Sequence, residues 1–347
     1  MKMLSRNSSR CRDESLLVMR WLSVSLPPRN VKFIGMKLLD CGIFYEWEYD
    51  GDFVSILSGE LESHGLSNEI YGTNDFSVVL ERLRRKTLAF KSIIDRASDV
   101  DNNCEAIVNL LERREIPILN EPGCVRHSSD KASMHLEFIT AGIYVPYTII
   151  ISPYNTQHEI VLSIDQLASL GRPFIIKPAN TTGGGIGVVK GAEGLREVID
   201  TRQHHKDDKY LLQRKIEPMV LDGRRAWFRP FYVFGRVFNC WWDDLTHVYF
   251  ETSREEFEMY KLREIERIVR KIHDVSGLEF FSTEIAITAR GEFIVIDYVN
   301  EMCDMRLMSK HFDGVPDNVV EAMAKQIAIG ISRLCRKEKN VPRRPRV

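Results

Sequence analysis

Two spacings of apolar residues take turns along this chain, and their order predicts a mixed α/β fold. Residues 31–38 and 42–57 mix β-branched and aromatic side chains between turn signals, which predicts a first strand followed by a strand pair. Helical apolar spacing runs through 76–92, a short buried strand follows at 92–97, then an amphipathic helix at 102–114 and another short strand at 116–119. Alternation of this kind favours parallel strands. The pattern breaks at Pro122-Gly123, beyond which Asp130 is placed to cap a helix over 130–142.

The second half predicts strands at 147–151, 174–177, 187–190, 210–213, 228–234 and 236–242, with helices at 164–170, 192–201 and 255–275. A hairpin over 280–299 closes the series, and no internal repeat is present. The expected organisation is a mobile arm at 1–30 ending in Pro27-Pro28, an α/β domain at 31–125, a second domain at 126–335 and a basic tail at 336–347.

Length and a hydrophobic fraction of 44% supply material for both cores. Lys and Arg number 48 against 49 Asp and Glu, so no global field draws in nucleic acid or an anionic membrane. Seven cysteines lie scattered without a Cys-x-x-Cys pair, which fits a reducing cytoplasm better than a zinc or disulfide framework. The apolar stretch 15–27 is interrupted by Arg20 and lacks a small-residue cleavage site, so it does not read as a signal peptide; no run is long enough to cross a bilayer.

Candidate chemistry begins at Phe174-Ile175-Ile176-Lys177-Pro178, where a lysine ends an apolar strand shortly before Gly183-Gly184-Gly185-Ile186-Gly187. Glycines let backbone N–H groups approach phosphate oxygens, and the lysine adds a point charge. The loop matches neither the Walker pattern nor the dinucleotide fingerprint, and a strand follows it, so it would form a flap. Further on, Glu284 and Asp297 stand in two otherwise apolar strands joined by a turn. The expected register puts Glu284 opposite Val295 and within diagonal reach of Asp297. Paired carboxylates in such strands suit a divalent cation. Strand alternation would set Tyr298 and Asn300 on one face and Asp297 on the other, so Asp297 joins a metal site only where the strand bulges; Asp304 is the reserve.

The order of these motifs, with Ser128-Ser129-Asp130-Lys131 and Ala141-Gly142-Ile143-Tyr144-Val145-Pro146 upstream, resembles the ATP-grasp superfamily over residues 31–331. The resemblance implies an ATP-grasp fold behind a preceding α/β domain, with Lys131 and Lys177 reaching nucleotide phosphates under the glycine flap. It implies that Gln213-Arg214-Lys215-Ile216-Glu217 is the adenine-reading hinge, with Glu217 on the ribose, and that Glu284, Asp297 and Asn300 hold Mg2+. Arg229, in a stretch similar to the family's Asp-x-Arg-x-Val-x-Gly, and Arg306 would contact the transferred phosphoryl group or the substrate. Three positions depart from the pattern: Arg214 where Glu is common, Trp227 in place of the acid, and the Asp297-Tyr298-Val299-Asn300 spacing instead of Glu-x-Asn.

The layout is similar to carboxylate:amine ligases such as the peptide-tail glutamate ligases, D-alanine:D-alanine ligases and glutathione synthetases. That implies ATP, a small-molecule or peptide carboxylate and an amine as partners, with no nucleic acid and no membrane; a homodimer stays open. Two alternatives remain: a kinase resembling the inositol-phosphate kinases, with Arg224, Arg225, Arg306 and Lys310 receiving an anionic acceptor, and a non-catalytic nucleotide-binding protein.

Overall fold

The computed structural model describes residues 35–180 and 187–337, and from Lys37 onward the chain forms one compact unit. The expected arm and nearly all of the tail lie outside the described residues, as do Gly183, Gly184, Gly185 and Ile186.

A four-stranded parallel sheet comes first, in the order Asn68–Tyr71, Lys37–Tyr45, Leu88–Arg96, Ile118–Leu119. Helices Gly51–Ser63, Phe76–Arg84 and Asn102–Glu112 supply the crossovers, as parallel pairing requires. Three expectations change here. Residues 51–57 are helical rather than extended, because Phe53, Val54, Leu57 and Leu61 share one face and are all buried. The helix expected over 76–92 stops at Arg84; Lys86 then takes a positive φ of 58° and the central strand Leu88–Arg96 begins. Where a break was expected, Pro122–Ser129 forms a short helix with Glu121 accepting from the Cys124 N–H.

Two larger antiparallel sheets follow, besides a two-stranded ribbon of Val220–Leu221 and Arg224–Arg225. The smaller has the order Thr148–Ile151, Tyr210–Arg214, Phe174–Pro178, Val189–Ala192. The larger has seven strands built around Phe280–Ile287, which pairs with Phe293–Asn300, Trp227–Phe228 and Phe231–Val233. The single strand expected over 228–234 is split at Arg229-Pro230, since proline has no N–H for the ladder. The helix expected over 255–275 is likewise two, Arg254–Met259 and Arg263–Ser276, parted where Lys261 takes a φ of 57°.

The helix Asp317–Lys337, which has no counterpart among the expected elements, closes the core. Its Val320, Met323, Ala324, Ile327, Ala328 and Ile331 are buried in one cluster with Phe53, Val54 and Leu57 of the first helix and with Phe231 and Val233 of the large sheet. Gln326 Nε2 donates to the Phe234 carbonyl at 3.0 Å, fixing the tight turn Phe234-Gly235 between paired Val233 and Arg236. No helix among the described residues is long and apolar enough to cross a membrane.

Gly330 is the point of closest approach: a Cβ there would stand 2.2 Å from the Phe234 ring. Gly330→Ala should therefore lower stability by about 1–3 kcal/mol through overpacking, against the gain of up to about 1 kcal/mol that alanine brings to an exposed helix position. Urea unfolding measures the difference, and an unchanged or higher midpoint would show that the Phe234 ring can swing aside.

Candidate functional site

The two antiparallel sheets bring cations and carboxylates together. Burial alternates along Phe174–Pro178 until Lys177, which is only 7% exposed. Its ammonium donates to the Ile296 carbonyl at 3.1 Å, lies 3.8 Å from Asp297 Oδ1 and sits 5.0 Å from the centre of the Tyr298 ring. Burial lowers its pKa, Lys131 adds to that, and Asp297 and Glu284 oppose it.

Lys131 opens the helix Lys131–Thr140, with Asp130 as its cap accepting from the Ala132 N–H at 3.0 Å. Asp130 also accepts from Lys209 at 2.8 Å, and the Lys131 N–H donates to the Ala179 carbonyl, tying the helix start to the chain just past Lys177. A cation in the first turn of a helix works against the helix dipole; Lys131 is nevertheless buried there.

The hairpin corrects the expected register. Ile287 pairs with Phe293 and Ile285 with Val295, but Glu284 pairs with Asp297 and Ser282 with Asn300, with a register shift on each side of Glu284. Two bulges absorb two extra residues on the second strand, so the three-residue spacing from Asp297 to Asn300 matches the two-residue spacing from Glu284 to Ser282. Tyr298, within the bulged stretch, is buried in one cluster with Phe138, Leu211 and Val295.

Arg229 arrives from the other flank of the same strand. Pairing of Phe228 with Ile285 and of Phe231 with Ser282 sets Arg229 across from Glu284. Its Nη1 lies 3.8 Å from Glu284 Oε1 and its guanidinium covers Trp242 at 5.2 Å. With the Asn300 amide oriented to satisfy both ends, its oxygen accepts from Arg229 Nη2 at 2.9 Å and its nitrogen donates to the Met302 carbonyl at 3.2 Å. Burial works against the Arg229 charge, but Tyr249, Glu284 and Asp297 outweigh it and the pKa is raised. Burial pushes the Glu284 carboxyl up to about 7, with Arg229 opposing and Asp297 reinforcing. Burial also acts on Asp297, but the charges of Lys177, Lys131 and Arg229 hold its carboxyl low.

Other expected site residues fall elsewhere. Gln213 is buried and donates to Tyr298 Oη at 3.1 Å and to Thr148 Oγ1 at 3.3 Å. Arg214 donates to the Ser169 carbonyl, Ile216 packs against the cluster that holds the final helix, and Glu217 lies between Lys215 at 2.9 Å and Arg225 at 3.5 Å. Gly187, the one flap residue described, has a φ of 77°, which favours glycine. Arg306 is held by Asp304 at 2.7 Å and Asp313 at 3.0 Å over the Trp47 ring. Beside Asn300 opens a cavity of about 310 Å³ whose lining includes Trp47, Arg96, Asp99 and Asp304; no motif marks it, because its walls come from segments far apart in the sequence.

No protein-family profile matches the sequence, and no curated protein matches it by sequence. Similarity to solved structures is extensive. A D-alanine–D-alanine ligase from Bacillus anthracis, complexed with ATP, aligns over 87% of this chain and 100% of its own at a TM-score of 0.58 and 14% identity. A RimK-domain ATP-grasp protein from Sphaerobacter thermophilus aligns over 83% and 98% at 0.58 and 16% identity. The ATP-grasp ligase PsnB, complexed with a minimal precursor, Mg and ADP, aligns over 86% and 98% at 0.55 and 12% identity.

Behind Lys177, His135 Nδ1 lies 2.7 Å from Tyr298 Oη, and His135 is 4% exposed. Burial, with the Lys177 charge adding to it, pushes its pKa down to about 4. The unfolded imidazole titrates near 6.5, so between the two values the unfolded state binds the extra proton and stability falls as pH falls. The loss should reach about 2 kcal/mol by about pH 4.5. Urea unfolding at about pH 7 and about pH 4.5 should show that much less loss in His135→Gln; equal losses would place the acid sensitivity elsewhere.

Proposed function

From the ATP-grasp fold of this chain, we propose that it binds ATP with Mg2+ between its two antiparallel sheets and activates a carboxylate as an acyl phosphate for attack by an amine. The observation that carries this reading is the bulged pairing that sets Glu284 against Asp297 with Arg229 and Lys177 beside them. Glu284, Asp297 and Asn300 offer oxygen donors of the kind Mg2+ takes. No group of three or more His, Cys, Asp or Glu able to hold a metal occurs among the described residues. The ion would therefore be completed by phosphate oxygens, as is usual for Mg2+ at nucleotide sites. Bound there, Mg2+ supplies neutralisation of the phosphate charge.

Lys131 and Lys177 meet the phosphates from the small sheet and its adjoining helix. Arg229, oriented by Asn300 and Trp242, faces the oxygens of the transferred group as a rigid fork. The carboxylate oxygen attacks the γ-phosphorus and ADP leaves. The amine then attacks the acyl carbon, inorganic phosphate leaves with the former carboxylate oxygen, and the amine sheds its extra protons. Positioning and charge neutralisation dominate such transfer, which agrees with a site that offers cations and carboxylates rather than a dedicated base. A reducing cytoplasm suits the chain, whose described cysteines are all free thiols.

The kinase reading needs free cations for an anionic acceptor. Arg224 pairs with Glu256, Arg225 with Asp244, Arg306 with Asp304 and Lys310 with Asp52, so each is already matched by a carboxylate.

Calorimetry should show Mg2+-dependent ATP binding that Lys177→Ala weakens at least about tenfold. ADP release in a screen of amino acids and small acids, with hydroxylamine trapping any acyl phosphate as a hydroxamate, should fall by roughly 10²-fold or more in Glu284→Gln. Full Mg2+-dependent turnover in Glu284→Gln would remove the central element, and a phosphorylated acceptor without hydroxamate would favour the kinase.

A further inference from the structure

The cavity beside Asn300 has one buried cation and an excess of carboxylates. Arg96, 3% exposed by its side chain, lines it. Its Nε and Nη2 donate to Asp50 at 2.7 and 2.9 Å, Nη2 also donates to the Cys303 carbonyl at 2.8 Å, and the guanidinium covers Phe53 at 5.2 Å. Nη1 is buried and has no hydrogen-bond partner. A buried donor left unpaired is costly, so this nitrogen calls for an acceptor from a bound molecule.

The lining carboxylates divide into two groups. Asp50 is taken by Arg96 and Asp304 by Arg306. Glu46 and Asp99, both exposed at the rim, form no ion pair among the described residues. Partial burial of its carboxyl at the rim raises Asp99 and the nearby Asp95 reinforces it, with Arg96 only partly compensating. The floor of the cavity thus asks for an anion and its mouth for more than one positive charge.

We infer that this cavity takes a small basic amino acid, its α-carboxylate on Arg96 Nη1 and its cationic amines at Glu46 and Asp99. The inference deepens the ligase reading and rests on it for the reaction the bound molecule enters, since Asn300 borders both the cavity and the candidate metal residues. A dicarboxylic acid would set a second anion against Glu46 and Asp99, a simple diamine would leave Arg96 Nη1 unpaired, and a neutral side chain would leave one rim carboxylate unmatched.

Calorimetry without ATP, using lysine, norleucine, cadaverine and glutamate, tests this. Lysine should bind at least about tenfold more tightly than any of the other three. The double variant Glu46→Gln, Asp99→Asn should weaken lysine about tenfold more than it weakens norleucine, which has only the α-amine to lose. Norleucine, cadaverine or glutamate binding as tightly as lysine, or none of the four binding, would overturn the inference. Lysine binding without ATP turnover would sink the ligase reading and leave the cavity's preference standing. ATP turnover with other acids and no lysine binding would sink the cavity's preference alone.

Discussion

Two carboxylates facing each other across a buried strand pair lose hydration and repel, and left alone they would raise each other's pKa until one kept its proton. Glu284 and Asp297 are in that position because the bulge between Glu284 and Ile285 brings them opposite each other. What keeps them from being an uncompensated defect is that three neighbouring segments each deliver a cation. Arg229 comes from the strand break beside Glu284, Lys177 from the end of the small sheet, and Lys131 acts on Asp297 from the start of a helix. The two sheets are thereby fixed relative to each other by charge as well as by packing, since Lys177 both approaches Asp297 and donates to the neighbouring Ile296 carbonyl. The unequal answer of the two carboxyls, one raised and one lowered, follows from Asp297 lying nearer the lysines and Glu284 lying deeper beside a single arginine.

What could be read from the sequence was local. Lys177 at the end of an apolar strand, Asp130 as the cap ahead of Lys131, and the hairpin at 280–299 each depend on a few adjacent residues, and the structure has those elements. Register was not local. A bulge is a property of the pairing, and the clue in the sequence was an Asp297-to-Asn300 spacing that strict alternation could not use. The misassigned stretch 51–57 fails for a related reason: its β-branched and aromatic residues suit strands, and only burial against the final helix makes their helical period decisive. Arg306, expected at a substrate or phosphate, pairs with Asp304 and Asp313 of its own loop, and adjacency alone did not reveal that pairing.

The same long-range logic governs which charges remain for a ligand. Arginines and lysines are abundant, yet most of those singled out from the sequence end in ion pairs, and an exposed pair of that kind is worth little either way. The groups that retain chemical potential are those whose partners are incomplete: Lys177, 3.8 Å from its carboxylate rather than in contact, and Arg229, at the same distance from Glu284. Neither cation is at hydrogen-bond distance from that carboxylate, so each keeps N–H groups from which an arriving phosphate oxygen can accept. Arg96 differs in kind, because Asp50 fills two of its nitrogens at hydrogen-bond distance and leaves the third. A guanidinium held rigidly on one edge and unpaired on the other is anchored without being satisfied, which suits it to hold a ligand without itself moving.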